Sequence, residues 1–391
     1  DDTLETHMNP IYLDHAATTP VRPEVLETFT SVLSEVSGNP SSQHRWGREA
    51  RMRLEEARER LAAVLGAERR EIVFTSGGTL ADNLAVLGRW RAVRNAGEAG
   101  SVVYSAIEHS AVLGAARQAG REGATLEVLA VDEEGRVLPE GLDEALRTPT
   151  AVVSVMWGNN EVGTLQPVAE LAARCREAGV VFHTDAVQAL GKVPVRVDDV
   201  ACDLLTVTAH KLGGPKGIGA LFVRSGVELE PLTYGGGQER SLHPGTENVA
   251  GAVAFAHAAE LADRERATEA KRLSTLRDRL QARLLERVDG LIVNAGGADR
   301  LPHILNVSLT EVDQEALLVS LDLEGVAASS GSACQSGTVE PSHVLIAMGR
   351  GSPDEASIRL SLGWTTTEQE IDDAAERFAS VVERVRSFSE A

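Results

Sequence analysis

Residues 206–223 read TVTAHKLGGPKGIGALFV: an apolar strand, a histidine and a lysine, a turn with three glycines and Pro215, then a second apolar strand. Lys211 stands where the first strand ends. A lysine held between a strand and a tight turn is well placed to lose solvent, which lowers its pKa and makes its amine a nucleophile. The position therefore reads as a Schiff-base lysine. Taken singly, a lysine beside glycines is more often a solvated surface charge, so its neighbours have to decide.

Upstream, from about Glu71, short apolar runs alternate with helix-like segments: EIVFTS, SVVYSA, LEVLAV, AVVSVMW, VVFHTD and LLTVTA, closed by GALFV. Runs that are apolar on both faces and separated by helices predict a mostly parallel sheet covered by helices on both sides, an α/β fold of doubly wound type. Such sheets bind ligands at the carboxyl ends of their strands. The unusual residues Thr75 to Thr79, His109, Asn160, Asp185, His210 and Lys211 fall there.

Downstream, Ala250 to Val288 is almost free of Gly and Pro and reads as one long helix bridging domains. HILNVSL, SIRLSLG and two further helix-like segments describe a smaller α+β domain. The expected division is a large domain over 17–255 and a small one from 9–16 and 256–391, the latter carrying a cysteine loop at about 327–340. Residues 1–8 read as an expression remnant or disordered segment.

Thirty-eight basic against 58 acidic residues give a formal charge of −20, which opposes non-specific binding to nucleic acid or anionic membrane. No apolar run approaches the roughly 20 residues of a membrane span, and DDTLETHMNP lacks signal-peptide regions. A cytoplasmic protein is expected. Its three cysteines form no CxxC or Cys/His cluster. Cys175 and Cys202 sit in packed contexts and read as inert, whereas Cys334 lies in SSGSACQSG among small residues with no core to join.

Three further pieces gather around Lys211. In FHTDAVQALGK, Asp185 ends a strand, where an acid can pair with a pyridinium nitrogen and keep pyridoxal 5′-phosphate (PLP) an electron sink, and Gln188 can reach the ring's phenolic oxygen. In TSGGTLADN, the amides near Gly78 and Thr79 and the Thr79 hydroxyl suit a phosphate at a helix N-terminus. His109 of YSAIEHSAV could stack on the ring and exchange protons with substrate.

With these residues in place the chain resembles the cysteine desulfurases, PLP enzymes of fold type I in the class V aminotransferase group. The likeness runs through YLDHAATTP, GNPSSQHRWG, TSGGTLADN, WGNNEVGTLQP, HTDAVQALGK, GGGQER, PGTENV, SSGSACQSG and SIRLSLG, in family order. SSGSAC is similar to the IscS/NifS-like branch.

The resemblance implies that Lys211 carries the cofactor, with Asp185 at the pyridine nitrogen, Gln188 at the phenolic oxygen and His109 on the ring. Thr79, Thr208, His210 and the Gly78 amide would hold the phosphate, joined by Thr246 from the other subunit of a homodimer. Asn160 and Arg359 would grip the substrate carboxylate, with Asn39 nearby. L-cysteine would leave as alanine while its sulfur passes, as a persulfide on Cys334, to an acceptor such as an iron-sulfur scaffold or a thiolation carrier. A selenocysteine lyase or a class V aminotransferase would share the cofactor residues. His243 stands where the family usually has arginine, Thr208 where many members have serine, and Trp364 where a charged residue is common.

Overall fold

The computed structural model describes residues 9–330, 341–352 and 355–389. Strand β1 (Ile11–Tyr12) opens the described chain. The seven expected apolar runs all form strands: β2 (Ile72–Thr75), β3 (Ser101–Ser105), β4 (Leu126–Leu129), β5 (Thr150–Ser154), β6 (Phe182–Asp185), β7 (Leu204–Thr208) and β8 (Gly219–Val223). They make one sheet in the order β2-β8-β7-β6-β5-β3-β4.

Strands β3 to β7 pair in parallel, and every residue of β3, β5 beyond Thr150, β6 and β7 is buried, as a sheet covered on both faces requires. Strand β8 runs antiparallel to both neighbours. The connection 209–218 is shorter than the dozen or so residues a parallel crossover needs, so the chain can only turn back. This short return holds Lys211 against the sheet.

Four more strands follow: β9 (Ile292–Val293), β10 (Ile304–Thr310), β11 (Val326–Ala327) and β12 (Glu355–Ser361). The order β12-β10-β9 is antiparallel, and β1 pairs in parallel with β11. Helices Gln314–Leu323 and Glu368–Ser389 pack with this sheet around a second apolar core that includes Leu305, Ile358, Phe378 and, from the beginning of the chain, Ile11 and Leu13.

Helix Val249–Arg287 belongs to both cores and lies within one residue of its expected bounds. It starts at Asn248, whose side-chain oxygen accepts from the Gly251 N–H at 2.9 Å. Its first part is buried almost all round, Val249 to Ala256 without a break, against the large sheet's core. Its second part buries only Leu273, Leu276, Leu280 and Leu284, one helical stripe facing the second core. Among the described residues no helix is long and apolar enough to cross a membrane.

Candidate functional site

A cavity of about 370 Å³ lies where the carboxyl ends of the large sheet's strands meet β12 and the segment after β1. From the sheet come Gly78, Thr79, His109, Asn160, Asp185 and Gln188. Thr208 ends β7 and His210 and Lys211 follow it, while Ala16, Ala17, Ser329 and Arg359 close the other side. The end of each strand is the one place where its residues can leave the sheet's ladder and face a ligand together.

Lys211 ends a single 3-10 turn, Ala209–Lys211. Its Nζ donates to the Ala16 carbonyl at 2.5 Å and to the Ala17 carbonyl at 2.6 Å. Carbonyls accept the hydrogens without supplying a countercharge. Burial pushes the amine down to about 8, Arg359 pushes in the same direction, and Asp185 and Asp14 oppose it.

Asp185 is 5% exposed and its Oδ1 accepts from the Val187 N–H at 2.8 Å. Burial raises its pKa, while His109, the Val187 bond and Lys211 draw it down. Next to it lies Asp82, 1% exposed, with Oδ1 lacking a hydrogen-bond partner. Burial and then the Asp185 charge raise Asp82 well above the ordinary carboxylate range, so its neutral form is favoured and Asp185 is left to carry the charge. His109 has a ring nitrogen within 4.8 Å of both carboxylates. Its Nδ1 accepts from the Ala111 N–H at 3.2 Å, capping helix Ser110–Arg121, and burial lowers its pKa. The neutral imidazole thus carries its proton on Nε2.

The anion pocket begins at Gly77, whose φ of 154° few side chains tolerate. A Cβ on Gly219 of β8 would fall 2.8 Å from the Gly77 carbonyl carbon, so the turn packs here only against a glycine. Gly78 then starts an unbroken helical run to Asn95, with a π segment at Leu84–Gly88. The run's free N–H groups and positive dipole end sit beside Thr79 and Thr208. His210 is driven down to about 4 by burial, with Lys211 second, so at neutral pH it adds no charge.

Arg359, on β12, donates to the Asn160 carbonyl at 2.9 Å and to Asp14 Oδ1 at 2.8 Å, leaving its buried Nε unpartnered. Ser329 exchanges two backbone hydrogen bonds with Arg359, so the approach to Cys334 is fastened beside this guanidinium. Cys334 itself lies outside the described residues, as does most of the expected loop. Cys175 and Cys202 are buried, with thiols pushed up to about 12, as inert packing residues should be.

Two expected site residues are not brought to this cavity by the chain itself. Asn39 is exposed and its Oδ1 accepts from Ser41 N in a turn, and Thr246 is exposed beyond the lining. His243 turns back on its own chain, its Nδ1 2.9 Å from the Phe74 carbonyl. Beside it, Glu239 accepts from Phe74 N and from both Arg58 Nη atoms, which together satisfy the edge of β2. Three residues in succession, Glu239, Arg240 and Ser241, hold φ of 47°, 58° and 64° there, a strained turn kept in place by these contacts.

Sequence reasoning gave no role to Asp82 or Asp14. Asp82 had a signal: it is three residues beyond Thr79 in TSGGTLADN, hence on the same helical face. Asp14 lay unread in YLDHAATTP.

Residues 11–373 match the family model for class-V aminotransferases. The cysteine desulfurase IscS of Dictyoglomus turgidum is 44% identical over 382 residues, covering 97% of this chain and 96% of that protein. A solved NifS-like protein superposes with a TM-score of 0.89 at 34% identity, over 96% of this chain and 100% of its own. A structure of SspA in complex with cysteine gives a TM-score of 0.78 at 32% identity, over 90% and 98% of the two chains.

Proposed function

The chain belongs to the class-V aminotransferase family, among its cysteine desulfurases, and from that premise we propose that it binds PLP at Lys211 and takes sulfur from L-cysteine. The observation that carries this reading is a half-buried lysine with a depressed pKa, hydrogen-bonded to two backbone carbonyls, in one cavity with the Asp185 carboxyl group, a glycine-rich helix N-terminus and a tethered arginine. Those donors fit PLP group by group: Asp185 for the pyridine nitrogen, Gln188 for the phenolic oxygen, and the Gly78–Thr79 turn with Thr208 and His210 for the phosphate. When bound, PLP supplies a sink for negative charge developing at the α-carbon of an amino acid.

The protein's own residues do the rest. Lys211, its pKa lowered to about 8, can both lose and accept a proton around neutral pH. Arg359 orients the substrate carboxylate through hydrogens that Asp14 and Asn160 do not use. His109 offers a proton at Nε2 without adding charge beside Asp185. Cys334 follows Ser329, a cavity residue, by five positions in the sequence, and in this reading its thiol takes the substrate sulfur. In the net reaction the thiol of Cys334 and L-cysteine become a persulfide on Cys334 and L-alanine, which balances all atoms.

A sulfur-acceptor protein then takes the outer sulfur. A homodimer is supported by the exposure of Thr246 and Asn39 and by exposed Leu26 and Leu33 on one face of helix Pro23–Glu35. The two apolar cores support the division into a large and a small domain, with the large core extending along helix Val249–Arg287 to Ala262.

The test is product analysis with PLP-loaded protein and L-cysteine. Alanine with protein-bound sulfur is expected, and Cys334→Ala should still bind PLP and L-cysteine but release no sulfide under reductant. Sulfide released by Cys334→Ala at the wild-type rate would refute the role of the thiol. 3-Mercaptopyruvate in place of alanine would turn the reading towards transamination.

A further inference from the structure

His303 stands just before β10 on the small-sheet side, 2% exposed, and none of the roles above uses it. Its Nε2 lies 3.3 Å from Gln188 Oε1, while Gln188 Nε2 donates to the Ala16 carbonyl at 2.9 Å. These two contacts decide each other's polarity. A carbonyl only accepts, so Gln188 must turn its NH₂ to Ala16 and leave its oxygen towards His303. The imidazole must then donate from Nε2, and its Nδ1, buried and without a hydrogen-bond partner, holds the lone pair.

We propose that His303 is a positioning residue: by donating to Gln188 Oε1 it locks the amide in the orientation that the Ala16 carbonyl selects, so that an N–H, not the carbonyl oxygen, is presented to the oxygen of the bound ring. The inference rests on the PLP reading of the pocket. An amide free to flip would put its oxygen against an oxygen that carries negative charge, trading a charge-assisted hydrogen bond for a repulsion. Burial, with Lys192, His15, Arg359 and Lys211 nearby, keeps the imidazole neutral, so the assigned tautomer persists across the working pH range. The device joins three separate segments, the turn after β1, the end of β6 and the entry to β10, at one amide.

The test uses apo protein titrated with PLP, for wild type, His303→Leu, His303→Gln, Gln188→Leu and the double variant His303→Leu/Gln188→Leu. His303→Leu is expected to weaken PLP binding roughly tenfold, the loss appropriate to a misdirected hydrogen bond to a charged group. It should also move the pH midpoint of the bound cofactor's visible band by about half a unit or more. His303→Gln, which keeps a terminal N–H, should restore most of both. In the Gln188→Leu background, His303→Leu should add nothing further, whereas a purely structural role would cost as much there as in wild type. Wild-type binding and an unmoved band in His303→Leu, or an undiminished effect in the Gln188→Leu background, would overturn the inference alone. Wild-type protein that takes up no PLP would overturn the reading of the pocket and this inference with it.

Discussion

Lys211 and Lys192 are both driven down to about 8, and both owe it first to burial. The chain has only four lysines, and the other two, Lys216 and Lys271, are exposed. Yet the surroundings of Lys211 and Lys192 differ. Lys211 borders a cavity of about 370 Å³ that also holds Asp185 and Arg359. Lys192 borders a cleft of only about 20 Å³, among His15, His303, Glu269 and Leu273. A space of that size takes about one water molecule and no substrate. A depressed pKa therefore reports desolvation, and what makes one of the two lysines a nucleophile for a ligand is room and the groups that share it.

Exchanging the two lysines in turn breaks the comparison most severely. Lys211→Ala should lose alanine formation from L-cysteine by about 10³-fold or more, the scale of a lost nucleophile and acid-base group. Next comes Arg359→Lys, which keeps the charge but loses the fork. Its kcat/KM for L-cysteine should fall about 10- to 100-fold, mostly through KM, as measured by steady-state alanine release.

The pKa itself can be read in apo protein. Incorporation of PLP needs the neutral amine, so its rate should rise with pH through a midpoint near 8. Because Arg359 is the second cause of the depression, Arg359→Met should move that midpoint upward, whereas Lys192→Met should leave it in place.

The smallest effect is expected of Lys192→Met, which should keep turnover within about threefold of wild type, as for a substitution outside the reacting site. Its signature lies in stability. The folded protein penalises the Lys192 cation, so wild type gains stability as pH rises from about 8 to the unfolded value of 10.5. The Met variant lacks that gain. Its Tm should exceed that of wild type near pH 7, with the gap closing as pH climbs through that window.

Much of this was legible in the sequence because the informative residues terminate strands. Asp185, Thr208 and Lys211 each follow an apolar run, and the position of a run's end is the most physical fact a sequence carries about an α/β site. The turn back of β8 follows from the shortness of 209–218. What could not be read acts at second hand or over long sequence separations. Asp82 matters by staying neutral beside Asp185, Asp14 by holding Arg359, and His303 by directing Gln188. No local pattern announces a partner 345 residues away, as Asp14 and Arg359 are. Asn39 and Thr246 were named from family likeness, and this chain's own cavity does not include them.

The contrast between the lysines can be tested chemically in one experiment. PLP-loaded protein is reduced with borohydride, digested, and the pyridoxyl-bearing peptide is mapped by mass spectrometry. Label on the peptide containing Lys211, with Lys192 unmodified, is the expected result. Label on Lys192, or spread over the exposed Lys216 and Lys271, would contradict the assignment of the site.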